Sequence, residues 1–182
     1  DYRSCIFKDE TGKFPYPVGS AKVDFMAIGS GVYWGGATGD YLSVPDSVDW
    51  NFQADFTAEG YGRATQAVTD MTVVAQGNEN TADNYFQLAM RAAGPGFFIR
   101  KGTYPVMLAP TISWNVNQWY HIACVRSGDN HYLFFNGQLV ASVSTADRPI
   151  DFGRDFLVGS VNHLSTITEP WKGLLDNIRI SK

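Results

Sequence analysis

The amino-acid sequence predicts an all-β fold, a sandwich of two antiparallel sheets. Its 182 residues are enough for one domain with a core of its own. Aromatic residues make up 14% of the chain and occur with 18 glycines and 8 prolines, as in proteins built from many short strands and turns. A third observation is an alternating run at residues 118–143, which predicts three consecutive antiparallel strands.

The first strand of this three-strand meander covers residues 118–126, where apolar side chains occupy both faces at period two. Such a strand belongs in the middle of a sheet that is itself covered. Residues 127–130 predict a turn and residues 131–135 a second strand. Asn136-Gly137 is the dipeptide that best tolerates the positive φ angles of a two-residue hairpin turn, and residues 139–143 then supply the third strand.

The N-terminal segment differs from the rest of the chain. Residues 1–20 carry aromatic side chains without helix or strand period, and Pro15 and Pro17 interrupt any hydrogen-bond ladder. We therefore expect an N-terminal arm or connecting segment at 1–20, followed by one domain at 21–182. In that domain, strands are predicted at 22–28, 32–34 and 40–44, with a turn at 29–31. Residues 46–52 predict a short helical turn capped by Asp46 or Ser47.

The strand predicted at 55–63 is unusual, because Ala58, Gly60 and Gly62 thin out one of its faces. Glycine inside a strand weakens it and often marks the close approach of something else. One explanation is a bulge or an inward-leaning Trp34. The other is that a further segment, or a second chain, fills the gap.

Further strands are predicted at 71–76, 84–92, 97–101, 104–108, 155–160 and 171–180. A tight turn is predicted at 94–96, and loops are predicted at 77–83, 146–153 and 162–169. The last strand is expected to pair near the N-terminal strands, which would bring the two ends of the domain together.

Charge and hydropathy exclude two classes of partner. The net charge of −4, a pI of about 5.2 and the lack of any basic run argue against nucleic acid. No apolar stretch is long enough for membrane insertion. The chain begins at Asp1 without an initiator Met or signal peptide, which indicates a processed chain or a fragment.

Cys5 and Cys124 are expected to be free thiols, and a disulfide between them stays as the alternative.

Several motifs occur in a fixed order along the chain. They are G-D-Y-L-S-V-P-D-S at 39–47 with D-W-N-F at 49–52, D-F-T-A-E at 55–59, W-x-H-I-A-x-V-R at 119–126, N-G-x-L-V at 136–140, F-L-V-G-S at 156–160 and W-K-G-L-L-D-N-I-R-I at 171–180. Together they resemble laminin-G-like domains over residues 22–181. The resemblance implies a concanavalin A-like (laminin-G-like) jelly roll, in a family that binds sugars, proteins or no known ligand.

The resemblance also implies roles for individual residues. Trp50, Trp119 and Trp171 match family core positions and are expected to be buried, and His121 is expected to pack in the core. Asp176 matches the aspartate of a closing family motif. Its expected role is structural, accepting backbone N–H bonds from a neighbouring loop.

Glucanases of this fold class place a pair of carboxylates on one strand face, in an E-x-D-x-x-E run. The sequence contains no such run. Asp55 and Glu59 share a face, which we interpret as solvated. His121, His131 and His163 have no metal-ligand spacing. We therefore predict that the protein is not an enzyme.

Calcium is the cofactor that the resemblance allows, as one structural Ca²⁺ at the edge of the sandwich. The candidate ligands are the oxygen-bearing side chains of the 78–83 loop, namely Asn78, Glu79 and Asp83, with Asn80 and Asp129 as further options. Ordinary polar loops are the alternative explanation, and no other cofactor is expected.

Sugar sites combine an aromatic face with polar groups for the hydroxyls. The aromatic residues least constrained by the family pattern are Trp34, Tyr85, Tyr104 and Trp114, and the last three are taken as candidates. Polar side chains close to them in sequence are Asp83, Asn84 and Arg100. These six are the predicted ligand-binding residues.

The leading hypothesis is a non-catalytic carbohydrate-binding or adhesion module on a virion or cell surface, since the motif at 39–52 resembles laminin-G-like domains of phage virion and marine bacterial surface proteins. The alternative is a structural virion component, a decoration or tail-fibre domain that acts through protein–protein contacts without sugar binding. Partners would be a glycan or other chains of a larger assembly, outside the cell or on a virion. The ligand and the oligomeric state stay open.

Overall fold

The computed structural model describes residues 16–26, 29–34, 36–67, 69–77, 84–149, 151–163 and 166–182. In these ranges the regular structure consists of β-strands and one short 3-10 helix, Val48–Trp50, which confirms the predicted all-β fold. The side-chain oxygen of Ser47 caps that helix by accepting a hydrogen bond from the backbone N–H of Asp49 at 3.2 Å. The helical turn expected at 46–52 and its Ser47 cap are therefore correct.

Within the described residues, the strands form two large antiparallel sheets and a small hairpin. Sheet A contains, in spatial order, β1 (Tyr16–Val18), β4 (Tyr41–Val44), β13 (Phe156–Val158), β6 (Asp70–Gly77), β7 (Asn84–Arg91), β8 (Gly94–Lys101) and β9 (Thr103–Leu108). Sheet B contains β12 (Gln138–Ser144), β11 (Asn130–Phe135), β10 (Tyr120–Ser127), β5 (Phe56–Ala64), β16 (Gly173–Ser181), β3 (Gly29–Trp34) and β2 (Lys22–Met26). The hairpin pairs β14 (Val161–His163) with β15 (Thr166–Thr168).

The meander predicted at 118–143 is present as β10, β11 and β12, and β10 lies between β11 and β5 in the interior of sheet B. Its second turn has φ angles of 50° at Asn136 and 76° at Gly137, the left-handed pair that a type I′ hairpin requires. The last strand, β16, pairs with β5 and with the N-terminal strand β3, as expected from the sequence.

Aromatic residues from both sheets form the centre of the core. The ring of Phe56 in β5 meets the rings of Phe86 and Phe97 in sheet A edge-on, with centroids 5.6 Å and 6.4 Å away. Phe52 stacks on Phe86 at 4.9 Å. Since each fully buried Phe contributes about 1.5–3 kcal/mol, this cluster is a main source of the stability of the sandwich.

The small residues of β5 are explained by the last segment of the chain. A Cβ at Gly62 would lie 2.4 Å from the indole of Trp171, and a Cβ at Gly60 would lie 2.4 Å from Cδ1 of Ile178. Another segment of the same chain therefore fills the gap. The register shift in this part of sheet B lies in β16, between Asp176 and Arg179, and it turns Ile178 towards the core.

Four local predictions differ from the structure. Residues 16–18 form a strand despite Pro17, because β1 is the edge of sheet A and an edge strand tolerates a missing N–H. The loop expected at 162–169 contains the hairpin β14–β15. Residues 29–31 belong to β3. The turn before β8 uses residues 92–93, so residues 94–96 are already paired with β7.

The roles that the family resemblance implies for individual residues hold only in part. Trp50 and Trp171 are buried as expected, but Trp119 is 37% exposed because it precedes β10 and lies outside its ladder. His121 faces away from the core and contacts Glu59, so the expected core position is wrong. Asp176 accepts a hydrogen bond from the N–H of Asn177, its own neighbour in sequence.

His131 is the histidine that lies in the core. It is fully buried, and neither ring nitrogen has a hydrogen-bond partner among the described residues. Its pKa is lowered to about 4, mainly by burial and also by the charge of the cross-strand neighbour Arg126, while the charges of Asp129 and Asp147 act in the opposite direction. Cys124 is a buried free thiol, whose pKa is strongly raised by burial. Cys5 lies outside the described residues.

No helix within the described ranges has the length and apolar character needed to cross a membrane.

Candidate functional site

The outer face of sheet A, which points away from the core, carries the first candidate site. Cross-strand pairing aligns one row of side chains across this face. In spatial order the row is Tyr16, Ser43, Leu157, Ala75, Gln87, Phe98 and Met107. Because paired residues of an antiparallel sheet share a face, residues far apart in sequence become neighbours here.

A cleft of about 320 Å³ opens where the hairpin β14–β15 lies beside the first strands of sheet A. Gly77 lies at this cleft, and a Cβ there would lie 2.9 Å from the backbone oxygen of Asn162 in the hairpin. The close approach of hairpin and sheet thus depends on a residue without a side chain. The cleft is lined by Tyr16, Tyr41, Ser43, Asp46, Gly77, Gly153, Arg154, Asp155, Leu157, Asn162 and Ile167.

The carboxylate of Asp155 is fixed inside this cleft. Its Oδ2 accepts hydrogen bonds from the hydroxyl of Ser43 at 2.5 Å and from the hydroxyl of Tyr16 at 3.1 Å. Tyr16 is 47% exposed, so its ring presents a face to solvent while its hydroxyl is held. We call the arrangement of Tyr16, Tyr41 and Asp155 the tyrosine cleft. It places two aromatic rings beside an oriented hydrogen-bond acceptor.

A second cleft of about 320 Å³ lies at residues 169–172, lined by Gly36, Thr38, Thr69, Asp70, Glu169, Pro170 and Lys172. Both of its carboxylates are engaged by neighbours. Asp70 pairs with Arg91 at 3.1 Å. Glu169 accepts a hydrogen bond from the side-chain amide of Gln87 at 2.5 Å, and the same amide donates to Thr72 at 2.8 Å.

The pKa of Glu169 is raised above its usual value. Burial is the main cause and the charge of Asp70 adds to it, while the hydrogen bond from Gln87 and the charge of Arg91 act in the opposite direction. The backbone oxygen of Glu169 also accepts the N–H of Thr72 at 3.0 Å. These bonds fasten the segment before β16 to sheet A.

The structure brings together some of the residues predicted as ligand-binding. Tyr85 and Arg100 are direct cross-strand partners, and Tyr85 also pairs with Gly77 of the tyrosine cleft. Asn84 is the next residue of β7. Tyr85 is only 5% exposed and packs against Ala89 and Phe98, so it offers little surface to a ligand.

The remaining predicted residues lie elsewhere. Trp114 donates its indole N–H to the backbone oxygen of Arg91 at 2.9 Å. Arg91 lies at the opposite end of β7 from Tyr85, roughly 20 Å away along the strand. Tyr104 lies in β9, at the opposite edge of sheet A from β1. Asp83 and the calcium candidates Asn78 and Glu79 lie outside the described residues.

Among the residues that are described, no three His, Cys, Asp or Glu side chains come together as a metal site would require. Asp129 instead pairs with Arg148 at 3.7 Å. The prediction of one Ca²⁺ therefore stays a prediction about the 78–83 loop.

A third cluster lies on the outer face of sheet B, where sequence analysis expected a solvated carboxylate. Glu59 Oε2 lies 2.9 Å from Nε2 of His121. Oε1 accepts hydrogen bonds from the guanidinium of Arg179, at 2.6 Å from Nε. Burial alone would raise the pKa of Glu59, but these hydrogen bonds and the charges of Arg179 and His121 together lower it. The ring of Tyr61 lies 4.9 Å from that of His121.

The tyrosine cleft could not be predicted from the sequence because its residues come from β1, from β4 and from the position just before β13. Tyr41 belongs to the motif at 39–47, but nothing local links it to Asp155. The cluster on sheet B had one detectable signal, since Glu59 and His121 lie on strands that both alternate in period two. Their pairing required the order of strands in the sheet.

Comparison with known sequences gives one match of broad coverage. The sequence model of the concanavalin A-like lectin/glucanases superfamily matches residues 35–182, most of the chain. No curated protein matches the sequence.

Solved structures share the fold at low identity. Domain 4 of AbnA, a GH43 extracellular arabinanase from Geobacillus stearothermophilus in complex with arabinotriose, aligns with a TM-score of 0.77 at 17% identity, over 98% of this chain and 88% of that one. The CBM40 of the Ruminococcus gnavus IT-sialidase bound to α2,3 sialyllactose aligns with a TM-score of 0.63 at 17% identity, over 70% and 76%. The receptor-binding domain of botulinum neurotoxin type G aligns with a TM-score of 0.65 at 11% identity, over 93% and 42%.

Proposed function

The chain belongs to the concanavalin A-like lectin/glucanase superfamily, and from this membership we propose that it is a non-catalytic carbohydrate-binding module that holds a glycan in the tyrosine cleft. The observation that carries the proposal is the carboxylate of Asp155, oriented by Ser43 and Tyr16 beside exposed aromatic surface. Aromatic faces take the C–H side of a sugar ring, and a fixed carboxylate accepts hydrogen bonds from its hydroxyls.

Binding fits the charged groups better than turnover does. A retaining or inverting glycosidase needs a carboxylic acid that gives its proton to the leaving group. Glu59 has a lowered pKa and accepts hydrogen bonds from the guanidinium of Arg179, so it stays ionised. Glu169 has a raised pKa, but its carboxyl group is bound to Gln87 in a contact that fastens the chain to sheet A. We therefore assign a structural role to the carboxylates of Glu59 and Glu169, and glycan binding to the tyrosine cleft.

The same proposal includes where the module works and what it binds there. Two structural neighbours are a sialidase CBM40 bound to sialyllactose and a domain of an extracellular arabinanase in complex with arabinotriose. A cell-surface or extracellular glycan is the partner that agrees with both. Attachment of a virion and adhesion of a cell are two settings in which such glycan binding would be used. Contact with a protein receptor, as in a structural assembly component, is the competing outcome of the test below.

The test is binding of arabinotriose, α2,3-sialyllactose and linear arabinan to the parent and to two cleft variants, Tyr16→Ala and Asp155→Ala. A single sugar site binds weakly, so the biotinylated protein is also assembled into a tetramer, and the retention of this tetramer on immobilised arabinan is measured. Met107→Ala is the matched control, because Met107 is an exposed residue at the other edge of sheet A.

We expect the parent and the control to bind at least one of these glycans. We expect each cleft variant to lose about tenfold in affinity while its far-UV circular dichroism stays unchanged. Tetrameric parent protein that passes unretained over a broad glycan array overturns the proposal. So does glycan binding that both cleft variants retain in full.

A further inference from the structure

We propose that the outer face of sheet B carries a second saccharide-binding surface, built on the side chains of Trp119 and Tyr61. This surface lies on the opposite side of the sandwich from the tyrosine cleft and shares no residue with it. The proposal shares the ligand class of the proposed function but not its site, so each can fail alone.

The two aromatic side chains are unusually accessible for their size. Trp119 is 37% exposed and Tyr61 is 44% exposed. Tyr61 in β5 pairs directly with His121 in β10, and Trp119 lies two residues before His121. Trp119 lies just before β10, and the hydrogen bond from the N–H of Asn117 to the backbone oxygen of Ala64 at 2.7 Å keeps this segment beside β5. The indole and the phenol are therefore inferred to lie on neighbouring segments of the same outer face.

The polar groups beside this aromatic pair are already oriented by the protein. Glu59 is held between His121 and Arg179. Arg63 of β5 donates its Nε–H to the backbone oxygen of Asn117, two residues before Trp119, at 3.1 Å. Side chains fixed in this way lose little further rotamer freedom when a ligand binds, which favours affinity.

The charges of this surface indicate a neutral ligand. The two arginines, Arg63 and Arg179, are balanced by the two carboxylates Glu59 and Asp176, and Asp176 is the cross-strand partner of Tyr61. A surface without net charge has no electrostatic preference for an acidic glycan over a neutral one. Exposed aromatic rings with hydrogen-bonding groups at their edges instead match a neutral pyranose chain, whose C–H faces stack and whose hydroxyls point sideways.

Two sites that face away from each other would give the module a further property. One copy could hold two glycan chains, or two parts of one folded chain, and the second contact would form at high effective concentration. A monomer would then crosslink a soluble polysaccharide, which a module with one site cannot do.

The tryptophan side chains provide a direct test by NMR of the ¹⁵N-labelled indole groups. Trp50 donates its indole N–H to Pro45 and Trp114 donates to Arg91, so both serve as internal references away from the proposed surface. The probes are cellohexaose and xylohexaose as neutral chains and hexagalacturonate as an acidic one, added at millimolar concentration to the parent, Tyr61→Ala and Asp155→Ala.

We expect the Trp119 indole resonance to shift and saturate with a neutral hexasaccharide while the Trp50 and Trp114 resonances stay in place. Tyr61→Ala should weaken this binding about tenfold, and Asp155→Ala should leave it unchanged. A Trp119 resonance unmoved by every probe overturns the second surface. A shift that disappears in Asp155→Ala also overturns it, because the effect would then come from the tyrosine cleft. A shift without saturation, or one equal for the acidic chain, counts against the proposal as well.

Discussion

The indole of Trp171 lies directly over the α-carbon of Gly62. A Cβ at position 62 would lie 2.4 Å from both Cη2 and Cζ2 of that ring, and Trp171 is 1% exposed with no room to retreat. Two residues earlier in β5, the terminal methyl of Ile178 approaches Gly60 in the same way. The two glycines therefore make similar contacts with partners of different rigidity.

This difference gives the first prediction. Gly62→Ala should lower the free energy of unfolding by about 2–3 kcal/mol, because a rigid buried indole must move. Gly60→Ala should cost about 1 kcal/mol or less, since Ile178 can rotate its terminal methyl away and alanine restricts the unfolded chain. Urea unfolding of both variants measures the two costs. Equal costs would show that the rigidity of the partner does not matter here.

The second prediction concerns the turn between β11 and β12. Gly137 has a φ of 76°, which a β-branched residue adopts only with strain, and nothing lies within 4 Å of the Cβ position. Gly137→Val should therefore lower the free energy of unfolding by about 1–3 kcal/mol through backbone strain alone. Gly137→Asn is the control, since asparagine tolerates positive φ and should cost clearly less. A valine variant as stable as the asparagine variant would contradict the proposed origin of the effect.

The third prediction is a loss of stability in mild acid through His131. Its pKa is lowered from 6.5 to about 4 in the folded protein, so the unfolded chain binds the proton first as pH falls. The folded state should lose up to about 3 kcal/mol relative to the unfolded state between pH 6.5 and pH 4 from this group, with no further loss below the folded pKa. Thermal unfolding at a series of pH values measures the slope.

His131→Leu supplies the comparison for that slope, because it removes the titrating ring but keeps an apolar side chain between Phe97 and Arg126. The difference between parent and variant isolates the histidine from the carboxylates that titrate in the same range. If the two proteins lose stability in parallel from pH 6.5 to pH 4, His131 does not control acid sensitivity.

The fourth prediction concerns Glu169. The pKa of its carboxyl group is raised above the ordinary value of 4.5 in the folded state. The protonated group therefore stabilises the fold at low pH, and this contribution is lost as the pH rises from 4.5 through the folded pKa. Glu169→Gln removes the buried charge and keeps an oxygen that can accept the amide of Gln87. We expect the variant to be as stable as the parent or slightly more stable at pH 7, by about 0–1 kcal/mol. Chemical unfolding at pH 4.5 and pH 7 checks it, and a strongly destabilised variant would mean that the charge itself holds the segment.

Local periodicity was sufficient to predict much of the fold. The meander at 118–143 and the turn at Asn136 depend on alternation and on turn chemistry, which are properties of neighbouring residues. The same rules failed at Pro17, because whether a proline breaks a strand depends on whether that strand is an edge. They failed again at 162–169, where a short polar hairpin has too few residues to produce a clear period.

The candidate sites were harder to predict for a physical reason. Tyr16 and Asp155 meet because β13 lies next to β4 and β4 next to β1, an order that no run of residues encodes locally. The partners of Glu59 likewise come from β10 and β16. The family resemblance predicted that His121 is buried, but its side chain lies on the outer face of β10. Alternation alone does not show which face of a strand meets the core, so it could not place this residue.

The position of β16 between β5 and β3 has a consequence for biosynthesis. The described strands β2 and β3 join the rest of sheet B only through residues 173–181, so this sheet cannot close on a ribosome-bound chain that still lacks them. Until residues 173–181 have been synthesised, the hairpin of β2 and β3 has no partner on the other side of β3, which favours slow assembly and makes the exposed strand edges a target for chaperones. A premature stop before residue 173 would divide sheet B into two pieces, rather than merely shorten it.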